Sequence, residues 1–143
     1  MILLDTNVVS ELMLPQPAVA VAQWLDRQAV TSLWITAVAE MEIRYGILSL
    51  GPSRRHDTLA SAFERFVSEV ISDRVAVFDV AAARAAAELM ADRKRRGRPG
   101  EIRDTLIAGI ALASNATVAT RNVAHFAGFN INVVSPWAGS GSL

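Results

Sequence analysis

The sequence predicts an α/β fold with a central, mostly parallel five-stranded sheet flanked by helices, and three observations support it. Short, wholly apolar runs alternate with longer stretches whose apolar residues recur every three or four positions, the order expected of strand–helix–strand units. The apolar runs lack the polar alternation of a sheet with one wet face, so both faces should be covered, as in parallel sheets. No repeat, linker or low-complexity tract divides the pattern, and 143 residues suit one domain that buries roughly two-thirds of its unfolded surface. The domain is read as residues 1–137, followed by a flexible tail at 138–143.

Met1 to Leu4 is the first strand, stopped by Asp5-Thr6-Asn7, where Thr6 or Asn7 can cap a short helix from Val8 to Met13. Pro15 and Pro17 break that helix. Val21, Trp24 and Leu25 give helical spacing to Val19–Gln28. Ser32 to Ile35 is the second strand, and Thr36 caps a helix running to about Leu50. Gly51-Pro52-Ser53 separates it from a helix over Ser53–Ile71, marked by Leu59, Phe63, Phe66 and Val70. Val75 to Phe78 is the third strand, and Asp79 caps an alanine-rich helix from Ala81 to about Arg96. After Gly97, Pro99 and Gly100, Ile102–Ser114 is a helix apolar almost all round, hence buried. Thr117–Ala119 and Ile131–Val134 complete the sheet, with right-handed crossovers throughout.

Composition narrows the function classes. The 14 basic residues balance 14 acidic ones, which argues against a polycation that coats nucleic acid. Without cysteine there is no disulfide framework, thiolate zinc site or Cys nucleophile, and a reducing cytoplasm is the expected compartment. No uninterrupted apolar stretch approaches the ~20 residues that cross a bilayer. Met1-Ile2-Leu3-Leu4-Asp5 lacks the basic start of a signal peptide.

Three acids fall where chemistry is expected. Asp5 follows the first strand, at the edge where open α/β sheets bind ligands. Glu42 lies at the border of a core stripe formed by Val38, Met41, Tyr45 and Leu48, which leaves Ile43 and Ile47 as a second apolar strip able to face a partner. Asp104 occupies the first turn of the buried helix. Each has an ordinary explanation: a turn cap, an exposed helix charge and compensation of the helix dipole. Together they can converge at one sheet edge, where three carboxylates repel one another unless a cation neutralises them. Oxygen-only ligands, with no Cys and no His pair, suit Mg2+ or Mn2+ rather than Zn2+.

The ordered set of motifs resembles the PIN-domain family, closest to the VapC toxins of type II toxin–antitoxin systems and their FitB-like branch. It comprises Leu3-Leu4-Asp5-Thr6-Asn7, Thr36 with Glu42 and Tyr45-Gly46, Ile102-Arg103-Asp104-Thr105-Leu106-Ile107-Ala108, Thr120-Arg121-Asn122 with Phe126, and Ser135-Pro136-Trp137. The resemblance implies a single PIN-like domain and a metal-dependent endoribonuclease leaving 5′-phosphate and 3′-hydroxyl ends. It implies Asp5, Glu42 and Asp104 as catalytic, metal-binding acids, with Thr6 beside the first. It also implies a homodimer, a VapB-like antitoxin and a larger toxin–antitoxin complex, with no membrane. Asn122 and His125 stand where the family commonly carries a fourth acid, so a second metal would be held by fewer charges. Thr6, Asn122 and His125 are therefore supporting residues, although His125 can equally be a loop side chain beside Phe126.

Arg93-Lys94-Arg95-Arg96-Gly97-Arg98 holds five of the 14 basic residues. It is either a solvated helix end favoured by the dipole or, with Arg103 and Arg121, an RNA-binding rim of Arg95, Arg96 and Arg98. Trp24, Trp34 and Trp137 are expected to pack in the core or at the sheet edge. Two other classes compete with the nuclease. One is a catalytically degenerate PIN-like module that binds RNA or protein, which the neutral Asn122 and His125 favour. The other is a phosphoryl-handling domain, such as a receiver or haloacid-dehalogenase-like phosphatase. The latter normally needs Asp-x-Asp, which Asp5-Thr6-Asn7 lacks; the former expects an acid pair and a late lysine, and Lys94 is the only lysine.

Overall fold

Five strands, β1 (Ile2–Leu4), β2 (Leu33–Thr36), β3 (Val75–Ala76), β4 (Thr117–Ala119) and β5 (Asn132–Val134), form a wholly parallel sheet in the order β3-β2-β1-β4-β5. They belong to a computed structural model that describes residues 1–138; the expected tail lies almost wholly outside the described residues. The helices are α1 (Thr6–Leu12), α2 (Val19–Asp26), α3 (Ala37–Leu48), α4 (Arg54–Arg65), α5 (Val80–Arg95), α6 (Ile102–Ser114) and α7 (Val123–Phe126). The strand order reverses between β1 and β4, which opens a crevice at their carboxyl ends. It is not the 2-1-3-4-5 order of receiver domains.

Alternation along each strand divides the core in two. Leu4, with Val8, Leu33, Ile35 and Phe63, packs on the face covered by α1 to α4. Leu3, with Ile107, Val118, Phe126 and Phe129, packs on the face of α5 and α6. The latter two helices pack closely: a Cβ added at Gly109 would stand 2.7 Å from the Ala82 carbonyl oxygen and 2.9 Å from the Ala86 Cβ. Thr36 and Asp79 cap α3 and α5 as expected, and Ser53 caps α4, each accepting a backbone N–H with its side chain. No helix among the described residues is long and apolar enough to cross a membrane.

Several expectations are corrected. Asp5, rather than Thr6 or Asn7, caps α1, because its carboxylate reaches the Thr6 N–H and the helix starts two residues earlier than expected. The third strand stops at Ala76, and Val77 and Phe78 are exposed, since β2 offers only Ile35 and Thr36 as partners there. The helix expected over Ser53–Ile71 changes to a π turn at Phe66–Val70, which brings Phe66 and Val67 into the core. The predicted stripe of α3 holds only at Val38: Ile43 and Ile47 are buried with it, whereas Met41, Tyr45 and Leu48 are 62%, 73% and 71% exposed. Both strips satisfy helical spacing, and the i, i+4 row through Ala39, Ile43 and Ile47 is the one that α3 turns into the core.

Candidate functional site

The crevice beyond β1 and β4 is built by strand pairing itself. The register sets Leu4 beside Ala119, and the ladder runs one step further through the Asp5 N–H, which donates to the Ala119 carbonyl at 2.9 Å. Asp5 and Thr120, the next residues on each chain, therefore lie side by side. The Thr120 hydroxyl donates to Asp5 Oδ2 at 2.7 Å, and both residues are buried, at 0% and 3% exposure. The Thr6 N–H holds the other oxygen, Oδ1, at 2.8 Å. From α3, Glu42 accepts a 2.9 Å hydrogen bond at Oε1 from the Thr6 hydroxyl. From the first turn of α6 comes Asp104, 4% exposed. The structure thus brings the three predicted acids and Thr6 to one place.

A feature that local sequence patterns did not reveal lies between them. Arg103 donates from Nη2 to Asp5 Oδ1 at 2.5 Å, from Nε to Glu42 Oε2 at 2.6 Å and from Nη1 to Asp104 Oδ1 at 2.7 Å; Nη2 also lies 3.2 Å from the Thr6 hydroxyl. Charge-assisted bonds of this length are the strong kind. Burial opposes the Arg103 charge, but the hydrogen bond to Glu42, the charge and hydrogen bond of Asp5, and the hydrogen bond to Asp104 outweigh it and raise its pKa above the usual value. Three carboxylates against one guanidinium leave the cluster with a formal excess of two negative charges.

The donor set fits a hard divalent cation: three carboxylates from separate elements already meet on one cationic group, with no sulfur or paired imidazole. With the guanidinium among them the acids surround a fork rather than a point, and no group of three acidic or imidazole side chains among the described residues stands in ligating arrangement.

The remaining predicted residues divide. His125 Nδ1 lies 3.7 Å from Asp104 Oδ2, an ion-pair range when the imidazole is protonated but too long for a hydrogen bond. Asn122 is exposed beside the site, its N–H donating to the Thr120 hydroxyl at 3.0 Å. The Arg121 N–H donates to the Asn7 side chain at 3.1 Å, and its guanidinium lies over the Trp137 ring, 5.0 Å from the centroid. Arg103 is turned into the acids. Arg95 and Arg96 pair with Asp92 at 3.7 and 3.1 Å and line a separate cleft of about 690 Å³ that none of the three acids lines. Arg98 is exposed just beyond α5. Trp24 is buried, while Trp34 and Trp137 are half-buried packing residues. Two site residues escaped prediction, Thr120 and Asn7; a threonine directly after the apolar Thr117–Ala119 run was the signal for the first.

A second cleft, about 400 Å³, begins at Thr6 and Glu42 and continues along Met13, Leu14, Ile43 and Ile47. Against known proteins, the PIN domain family profile matches residues 2–127. The chain is 39% identical to a plasmid stability protein, StbB, of Pseudomonas syringae pv. tomato, over 96% of this chain and 99% of the relative. It is 35% identical to a VapC ribonuclease, Y4jK, of Sinorhizobium fredii, over 96% and 98%. The crystal structure of FitAcB from Neisseria gonorrhoeae superposes with a TM-score of 0.87 at 32% identity, covering 96% of this chain and 99% of that one.

Proposed function

Because the chain belongs to the PIN domain family, we propose that it is an Mg2+- or Mn2+-dependent endoribonuclease acting as the toxin of a toxin–antitoxin pair. The observation that carries the reading is the convergence of Asp5, Glu42 and Asp104, from three separate elements, on a single cationic group at the sheet's switch point. Family membership removes the support for a phosphoryl-handling domain.

Asp5, Glu42 and Asp104 hold the cation in this reading. When bound, it supplies a Lewis acid that activates water and neutralises charge developing on the phosphodiester. Thr120 and the Thr6 N–H fix the Asp5 carboxylate so that its oxygens need not reorganise. The Thr6 hydroxyl orients Glu42. Asn122, exposed at the rim, and Arg121, braced on Trp137, are placed to contact RNA phosphate. His125 adds a cation beside Asp104 when protonated. A shallow site of this kind reaches splayed single-stranded nucleotides rather than the interior of an A-form helix.

The FitAcB structure and the VapC relative support a VapB-like antitoxin as partner in a larger toxin–antitoxin complex. The apolar cleft that begins at Thr6 and Glu42 suits an antitoxin segment laid along α1 and α3. The exposed Met41, Tyr45 and Leu48 suit a homodimer contact. Asp5→Asn and Asp104→Asn proteins, shown to be folded, should lose RNA cleavage that the wild type performs with Mg2+ and loses with chelator. Full activity in either variant removes the proposal. A non-catalytic RNA- or protein-binding module is the second reading, favoured by Arg103 neutralising part of the acid cluster; it predicts no Mg2+-dependent cleavage by the wild type.

A further inference from the structure

Arg103 is in the wrong place for an ordinary helix residue. The first turn of a helix favours acids, and a cation there opposes the dipole; Arg103 is the second residue of α6 and still turns inward. Its three strong contacts are all to residues of the acid cluster, two of them 61 and 98 positions away in sequence. A bidentate fork matches carboxylate geometry as a lysine cannot. Without a cation among them, Asp5, Glu42 and Asp104 would repel one another in a partly desolvated crevice. With the guanidinium seated, the same oxygens are spoken for: Asp5 Oδ1, Glu42 Oε2 and Asp104 Oδ1 each already accept a bond of 2.5 to 2.7 Å.

We propose that Arg103 is a built-in gate of the acid cluster: its guanidinium holds the three carboxylates together while no divalent cation is bound, and it leaves them when one binds. The inference rests on the reading of these acids as a cation site. Metal affinity is then set by competition with a tethered side chain, and metal loading and the exposure of a free guanidinium at the rim are one event. Freed, the fork lies one residue from Asp104 and is available to a phosphodiester oxygen.

The test uses the full-length protein without substrate. In 15N-labelled wild type, the Arg103 side-chain N–H signals, assigned by their absence in Arg103→Lys, should move from hydrogen-bonded to solvent-exchanging positions as Mg2+ saturates the site. Calorimetric titration with Mn2+ should give about tenfold tighter binding to Arg103→Gln than to wild type, the shift that one lost charge-assisted bond produces. Arg103→Lys, which keeps the charge but contacts fewer oxygens, should fall between and stands in if the Gln variant does not fold. Arg103 signals that stay in place at saturating Mg2+ overturn the gate even if affinity rises, since a neighbouring charge alone would raise it. Equal Mn2+ affinity in wild type and variant also overturns the gate while leaving the cation site intact. No binding to any of the proteins overturns the cation-site reading and the gate with it.

Discussion

Replacing Thr120 by Val removes the hydroxyl that fixes Asp5 at the centre of the site. The hydroxyl donates to Asp5 Oδ2 at 2.7 Å and accepts from the Asn122 N–H at 3.0 Å, and Thr120 is wholly buried. Valine has nearly the same shape, so no cavity term enters. A hydrogen bond to a charged group contributes ~1.5–3 kcal/mol. Asp5 retains the Thr6 N–H and Arg103 as donors, so its carboxylate is not stripped, and the cost should be about 2 kcal/mol. For a domain of this size, each kcal/mol lowers the melting temperature by ~3–4 °C, giving a fall of roughly 6–8 °C. Thermal unfolding by circular dichroism, with Thr120→Ser as control, measures it. Serine keeps the hydroxyl and loses a methyl group, and should cost about 1 kcal/mol. A valine variant within about 1 °C of wild type, or a serine variant as unstable as valine, would refute the assignment.

Gly109→Ala should destabilise by about 1–2 kcal/mol in denaturant titration, because overpacking between α5 and α6 exceeds the ~1 kcal/mol gained in helix propensity; a stabilised variant would mean that the helices separate freely. Tyr45→Glu with Leu48→Glu should keep the melting temperature and shift sedimentation from dimer to monomer, whereas Ile43→Glu should unfold the domain, since Ile43 is core. Neutralising Arg95 and Arg96 should flatten the dependence of log K on log salt for single-stranded RNA by ~1.4, about 0.7 per phosphate contact. Their exposed pairs with Asp92 are too weak to hold them back. An unchanged slope would leave them as a solvated helix end.

What the sequence revealed follows from how locally each feature is encoded. Buried parallel strands are apolar runs, and Thr36, Ser53 and Asp79 mark helix starts by a side chain that bonds three residues ahead, so β1, β2, β4, α3, α5 and α6 were legible nearly to the residue and α4 at its start. The inward face of α3 was not, because two strips share its periodicity and only the packing of α1 and α4 chooses between them. The acids were legible as a set because each sits at an element end. Arg103 and Thr120 took their roles from partners 98 and 115 positions away, which no spacing rule reaches. Arg103 reads locally as one more cation beside an acid, and only the fold turns it inward.

Those separations also set when the site can exist. β1 lies in the middle of the sheet and waits for β4 before its second edge is filled. Asp5 is made before Glu42, and the turn carrying Arg103 and Asp104 only after both. Pairings this distant close late in folding, after the loop entropy between them has been overcome. A chain still under synthesis therefore carries its acids apart, and a product truncated before α6 never gathers them. Completion of the polypeptide is itself a safeguard on whatever the assembled cluster does.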